Sequence, residues 1–210
     1  MGTSTSGGGA YSAGTVFKIT PSGTLTTLYS FCSQSGCTDG EGPGTGLAQA
    51  TNGDLYGTTS FGGAHNDGTV FQITPSGTLT TLYSFCSQNG CTDGEHPVSG
   101  LIQATNGGLY GTTYVGGANS DGTVFSLSVG LGPFVETLPT SGSVGTTVKL
   151  LGTNLTGATS VSFNGVGAVF EVVSSSEITA TVPAGATSGR VQVTTPTVVL
   201  LSNQNFRVTP

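Results

Sequence analysis

Gly68-Thr69-Val70-Phe71-Gln72-Ile73-Thr74-Pro75-Ser76-Gly77-Thr78-Leu79-Thr80-Thr81-Leu82-Tyr83-Ser84-Phe85 is the stretch that decides the fold. Two runs rich in β-branched and aromatic residues flank Pro-Ser-Gly, a turn whose proline presets φ and whose glycine tolerates positive φ. The opening Gly-Thr-Val-Phe occurs at Gly14, Gly68 and Gly122, so the period is 54 residues (68 − 14 and 122 − 68 both give 54). A fixed period of this size means a propeller, a solenoid or an array. Outward from the quoted stretch, one period predicts four strands, at residues 68–74, 78–85, 100–105 and 109–114. Asn106-Gly107 supplies a strong hairpin signal between the last two. Four antiparallel strands of this length make one propeller blade. In Leu82-Tyr83-Ser84-Phe85 large apolar groups fall on both faces, as in a sheet covered on both sides.

Composition agrees with an all-β reading. Only 7% of residues are charged and 35% are hydrophobic, with 36 glycines and much Ser, Thr and Asn making up the difference. Disordered chains are charge-rich and poor in β-branched and aromatic residues, and no segment carries the i, i+3, i+4, i+7 apolar spacing of a helix. The net charge is −6, and the only cations are Lys18, Lys149, Arg190 and Arg207. Four scattered cations cannot form the basic stripe that nucleic acid or an anionic membrane surface requires. The apolar run Val198–Leu201 is far too short to span a bilayer. Met1 leads into Gly2-Thr3-Ser4-Thr5-Ser6-Gly7-Gly8-Gly9 and not into a basic and then apolar leader. The sequence therefore reads either as a mature or excised piece of a secreted protein or as a cytosolic one.

The cysteines bear on that choice. Cys32 and Cys37 lie in Cys-Ser-Gln-Ser-Gly-Cys, and Cys86 and Cys91 in Cys-Ser-Gln-Asn-Gly-Cys. Two pairs with the same spacing, each across a turn, predict two local disulfides and an extracellular or cell-surface setting. Each would staple its own loop, for about 2 kcal/mol in the chain-entropy model. A single metal site using all four thiolates is the competing reading, although the spacing is wide for a zinc knuckle and no His accompanies both pairs.

The repeats cover residues 14–129 and predict nine strands, or about 2.25 four-strand units. Before them, residues 1–13 read as a Gly/Ser-rich partial repeat, in which only Gly8-Gly9-Ala10 matches Gly62-Gly63-Ala64. A propeller typically closes with four to eight blades, so open faces and edges are expected. Gly-Leu-x-Gln-Ala-Thr-Asn-Gly-x-Leu-Tyr-Gly-Thr-Thr-x-x-Gly-Gly-Ala, complete at residues 46–64 and 100–118 and followed by Asp-Gly-Thr-Val-Phe, resembles the GloVer tandem repeat of large secreted bacterial proteins. The resemblance covers about 60% of the chain and implies a surface or secreted array with no known chemistry; this chain departs from it in repeat number. Either it is cut from a longer array, or copies complete one another.

After a linker at residues 130–133 the period stops. Residues 134–210 predict seven short strands at sandwich spacing: 134–138, 147–151, 160–163, 168–173, 177–182, 189–194 and 205–208. Pro139-Thr140-Ser141-Gly142-Ser143-Val144-Gly145-Thr146-Thr147-Val148, then Gly152-Thr153-Asn154-Leu155, Ser162-Phe163-Asn164-Gly165 and Ile178-Thr179-Ala180-Thr181-Val182-Pro183, resemble an IPT/TIG immunoglobulin-like domain. That resemblance implies a spacer, adhesive or docking module, since the basic loops of the DNA-binding members are missing. Thr197-Val198-Val199-Leu200-Leu201 stands where the family usually has a Gly-rich turn. It reads either as an ordinary buried strand or as an exposed apolar segment that docks on a neighbour.

Catalytic motifs are missing: there is no Gly-x-Ser-x-Gly elbow, P-loop or His-Glu-x-x-His. His96 aligns with Gly42, and His65 with Tyr11 and Asn119, so both histidines read as loop residues. Asp39 and Glu41 recur as Asp93 and Glu95 beside the cysteine loops. Hard cations take roughly six to eight oxygens, which admits Ca²⁺, yet Asp-Gly is equally a turn signal. Tyr56, Tyr110 and Tyr114 could stack on a polysaccharide, though the chain has no Trp. The sequon at Asn154 is expected on the surface. The expected function is a non-enzymatic extracellular structural protein, a filament or array subunit that self-associates head to tail. Thr3, Tyr11, Val198, Val199, Leu200 and Leu201 are the candidate contacts. A carbohydrate-binding accessory module is the alternative.

Overall fold

The computed structural model describes residues 1–210 as an all-β chain in two compact units. The first comprises Met1–Gln103 and Leu109–Val129, the second Ala104–Gly108 and Gly130–Pro210. The only helical elements are two short 3₁₀ turns, Ser35–Cys37 and Asn89–Cys91.

The first unit holds eleven strands: β1 (Gly2–Ser4), β2 (Thr15–Ile19), β3 (Leu25–Ser30), β4 (Ala48–Gln49), β5 (Leu55–Thr59), β6 (Thr69–Ile73), β7 (Leu79–Ser84), β8 (Glu95–Pro97), β9 (Ile102–Gln103), β10 (Leu109–Val115) and β11 (Val124–Leu127). They form three small sheets ordered β1-β2-β3, β4-β5-β6-β7 and β11-β10-β8, with β9 also on β10. The expected four-strand grouping is out of phase with these sheets. The complete sheet takes β4 and β5 from before Gly68 and β6 and β7 from after it. Loop length decides this: nine residues join β5 to β6 (residues 60–68), whereas seventeen separate β7 from β9 (residues 85–101), and the short link makes the within-sheet hairpin.

Two further corrections follow from pairing. The N-terminal segment is more than a glycine remnant. Gly2, Thr3 and Ser4 pair with Phe17, Val16 and Thr15 just as Gly57, Thr58 and Thr59 pair with Phe71, Val70 and Thr69, so β1 is the missing Gly-Thr-Thr strand. The strand count rises beyond nine because Glu95–Pro97 also pairs with β10, a contact that copy one reduces to an isolated Glu41–Phe61 bridge.

The glycine within Leu-Tyr-Gly-Thr-Thr is set by packing. A Cβ at Gly57 would lie 2.6 Å from the Phe71 ring, and one at Gly111 2.6 Å from Phe125. With the glycine flat, Phe71 is fully buried with Val16, Phe31, Leu55 and Ile73 in one core. Phe31 meets Phe71 edge-on at 5.1 Å, and Phe85 meets Phe125 at 5.0 Å, one period later.

The second unit holds β12 (Glu136–Leu138), β13 (Ser141–Gly142), β14 (Thr147–Leu151), β15 (Ser160–Phe163), β16 (Val166–Gly167), β17 (Phe170–Val172), β18 (Glu177–Thr181), β19 (Gly189–Thr194) and β20 (Val199–Val208). Two sheets, β12-β14-β18-β17 and β13-β20-β19-β15-β16, carry alternating buried residues on their strands. Val148, Leu150, Val161, Phe163, Ile178, Val191, Val193, Leu200 and Phe206 lie in one apolar core. The expected last strand, 205–208, is the end of a longer one that begins at Val199, because the Val198–Leu201 segment continues the ladder on β19.

Candidate functional site

The two cysteine loops are built alike. Each disulfide closes within its own loop, Cys32 to Cys37 and Cys86 to Cys91, with Cα separations of 4.0 and 4.1 Å. In each loop the aspartate is a hub. Asp39 accepts hydrogen bonds from the Tyr29 hydroxyl (2.8 Å), from the Ser33 amide and hydroxyl (both 2.9 Å) and from the Gln34 amide (3.3 Å). Asp93 accepts the same set from Tyr83 (2.7 Å), Ser87 (both 2.9 Å) and Gln88 (3.2 Å). Burial pushes the Asp93 carboxyl up, but the bonds from Tyr83, Ser87 and Gln88 outweigh it and hold the group below the usual aspartate value. Burial raises the Tyr29 and Tyr83 phenols.

In each aspartate Oδ2 takes three of these bonds and Oδ1 only one. Asp39, Glu41 and Asp93 belong to no group of three ligating side chains, so the four acidic residues singled out in the sequence do not converge. Glu95 instead meets Asp67 and His96, with ligand atoms within 4.8 Å of one another. His96 Nδ1 lies 2.8 Å from the Ser60 carbonyl, so that nitrogen carries the proton, and Nε2 faces Asp67 Oδ1 at 3.9 Å. The ring also packs on Phe61 at 5.0 Å. An oxygen-and-imidazole set of this kind has the chemistry to hold a borderline divalent ion such as zinc. The signal was in the repeat alignment. Copy one has Ala13 and Gly42 where copy two has Asp67 and His96, with the backbone bond kept at 2.9 and 2.8 Å. His65 is exposed.

The tyrosines do not form a sugar platform. Tyr56 is 1% exposed and accepts a bond from the Asn52 amide, while Tyr114 is 69% exposed on another sheet. Tyr110 is half-buried on the same strand as Tyr114. Asn154 is exposed, at φ 58° in a loop.

The candidate contacts are placed unequally. Thr3 is half-buried within β1, at the edge of its sheet, and donates its hydroxyl to the Thr45 carbonyl at 2.8 Å, whereas Leu200 is fully buried in the sandwich core and is not offered to a neighbour. Alternation along β20 puts Val199 and Leu201 on the outer face, 51% and 48% exposed, beside Val198 at 37%. Tyr11 is 55% exposed.

A different exposed feature escaped the sequence reading. Val16 and Val70 are fully buried, but Val124, the same repeat position, is 80% exposed. Beside it lies a cavity of about 420 Å³, walled by Val70, Tyr83, Phe85 and Asp93 on one side and by residues 123–127 on the other. The third sheet has no strand on the outer side of β11, where the second sheet has β7 on β6.

The model of the Gloeobacter/Verrucomicrobia repeat matches residues 2–156, and that of the IPT/TIG domain matches residues 134–209. No curated protein matches the chain. Among solved structures, the crystal structure of the gamma-CGTase of alkalophilic Bacillus clarkii is similar over 74% of this chain and 24% of its own, at 17% identity and a TM-score of 0.31. The chain thus spans about a quarter of that protein, and so slight a likeness carries no argument about activity. Both matched modules are consistent with an extracellular structural or adhesive part. The two disulfides fit a secreted protein, and no helix is long and apolar enough to cross a membrane.

Proposed function

Because the chain belongs to the Gloeobacter/Verrucomicrobia repeat family and ends in an IPT/TIG domain, we propose that it is a non-enzymatic structural module of an extracellular repeat array, whose copies associate head to tail. The observation that carries this reading is the repeated loop. The most engaged carboxylates of the repeat, Asp39 and Asp93, make the same four bonds to their own loops. A group used identically in successive copies serves the scaffold, since a reaction centre needs one arrangement and not a series of them.

Uncovered apolar residues at the two ends of the repeat unit support association. Ile19 and Leu25 of the first sheet are 57% and 60% exposed, whereas their counterparts Ile73 and Leu79 pack in the core. Val124 of the third sheet is the uncovered residue at the other end. Different surfaces at the two ends make a heterologous contact, which propagates as a filament or closes as a ring. Tyr11 and the outer face of β20 at Val199 and Leu201 are further exposed contacts for a neighbour.

Negative-stain microscopy and light scattering of the purified chain over a concentration series test this. Filaments or rings are expected, and replacing both Ile19 and Leu25 with Lys should abolish them. A stable monomer at the highest concentration would overturn head-to-tail association.

A further inference from the structure

We propose that the open edge of β11 is a seat for one extended strand of the Leu-Thr-Thr-Leu-Tyr-Ser-Phe kind, donated by a second molecule that carries repeats of this family. The proposal rests on the structural reading above and names the contact that reading leaves unspecified.

The template for the occupant lies one period earlier in the same chain. β6 and β11 share the sequence position, and β6 is covered by β7 with Thr69 on Ser84, Val70 on Tyr83, Phe71 on Thr81, Gln72 on Thr80 and Ile73 on Leu79. β2 is covered by β3 in the same register. β11 pairs with β10 through Leu109–Leu127, Tyr110–Ser126, Gly111–Phe125 and Thr112–Val124, and its other side has no strand. The inner side of the third sheet is therefore complete, and what is missing is the single strand that the two preceding copies possess.

Exposure differs along with pairing. The shared valine goes from 0% to 80% exposed, and because Val16 shares a core with Leu55, Phe71 and Ile73 of the second sheet, this reflects the lack of a sheet packed on Val124 as well as the lack of a ladder partner for β11. The loop aspartate goes from fully buried at Asp39 to half-buried at Asp93, which now lines the cavity. The cavity walls keep the side chains that a covering strand meets: Val70, Tyr83 and Phe85 on the older sheet, Phe125 and Leu127 on β11.

Backbone polarity makes the edge receptive. The Thr123 carbonyl accepts from the Thr113 amide at 3.0 Å, so Thr123 turns its polar groups inward toward β10. In an antiparallel ladder the orientation alternates, which points the amides and carbonyls of Val124 and Ser126 outward. An incoming strand thus gains main-chain hydrogen bonds from those two residues and places its tyrosine beside Val124 and its first leucine beside Leu127, following the β6–β7 register. Strand addition of this kind takes affinity from the main chain and specificity from the alternate side chains.

The test uses a fluorescently labelled peptide with the sequence of residues 78–85, titrated into the full chain and followed by polarisation. Saturable binding is expected, with none by a scrambled peptide. Val124→Lys should weaken binding about tenfold or more by placing a charge in the apolar seat, and an 80% exposed position tolerates it without loss of fold. Ser126→Pro should weaken binding comparably by removing an outward donor, with an unchanged melting curve as the control. Failure to saturate, equal binding of the scrambled peptide, or full binding by both variants would overturn the seat. Peptide binding by a chain that light scattering shows to be monomeric would leave the seat standing and remove self-association. Filaments from a chain that ignores the peptide would do the reverse.

Discussion

The repeat unit and the sandwich solve the problem of a charge-poor chain in different ways. The sandwich relies on one aliphatic core, thirteen buried apolar residues with Phe163 and Phe206 edge-on at 5.1 Å, and contains no cysteine. The repeat unit spreads its apolar residues over three small sheets and adds two disulfides, two aspartate hubs and buried threonine pairs such as Thr59 with Thr69 at 2.8 Å. Small sheets bury little area each, so local staples and satisfied polar networks carry more of their stability. One region should therefore fail through its core and the other through its loops and close backbone contacts.

The chain offers a way to watch the two separately. All six tyrosines, at 11, 29, 56, 83, 110 and 114, lie in the repeat unit, and there is no Trp. Tyrosine emission reports that unit, while far-UV circular dichroism reports both. The largest expected effect is Phe163→Ala. Its ring is 1% exposed, and deletion should cost the sandwich about 3–5 kcal/mol in a denaturant titration. A loss below 1 kcal/mol would mean that the sandwich does not depend on this core.

Next comes the repeat unit's own weak point. Gly57→Ala drives a Cβ into Phe71 and, at 3.0 Å, into Leu47, so the tyrosine-detected transition should lose about 1–3 kcal/mol. Replacing both members of one cysteine pair with serine should cost about 2 kcal/mol in the same transition, the value for so short a loop. If reduction leaves that transition in place, the loops are held by their aspartates alone.

The difference between the regions also explains what could be read in advance. The period, the all-β class, the hairpins at Pro75-Ser76-Gly77 and Asn106-Gly107 and the longer sandwich strands were legible because turn chemistry and alternation are local, whereas the two-residue strands β13 and β16 were not. The phase of the sheets was not, because the repeat marks a recurring sequence and loop length decides which strands pair. β1 was missed since Gly2-Thr3-Ser4 keeps only part of the Leu-Tyr-Gly-Thr-Thr pattern. Asp39 and Asp93 were legible as important yet ambiguous between cation and turn; the four donors around each could not be read from the sequence. Val124 looked like Val16 and Val70 because a missing neighbour leaves no trace in the residues that remain.

A gentler effect is expected from acid. The Asp93 carboxyl titrates below its ordinary value in the folded chain, so the stabilisation is complete above the unfolded value near 4 and is lost as pH falls through the lower folded one. Stability of the repeat unit should be flat from neutral pH to about pH 5 and should then decline. Asp93→Asn should reduce the steepness of that decline in tyrosine-detected melts at pH 3 to 5, at the cost of lower stability at neutral pH. An unchanged slope would remove Asp93 as a source of acid sensitivity.

The smallest effect is expected on the surface of the sandwich. Lys149 on β14 and Glu177 on β18 form an ion pair at 2.9 Å, diagonal across the β14–β18 ladder, in which Lys149 stands opposite Thr179 and Leu151 opposite Glu177. The lysine side chain is 54% exposed, so water and salt screen the attraction and holding two long side chains in register offsets much of what remains. Lys149→Met keeps the apolar stem and removes the charge, and it should change the sandwich transition by no more than about 0.5 kcal/mol, shrinking further in molar salt. The same shift at low and high salt would assign the effect to packing of the stem. A loss as large as that of Phe163→Ala would overturn the premise that this region stands on its apolar core, because a surface charge would then carry as much as a buried ring.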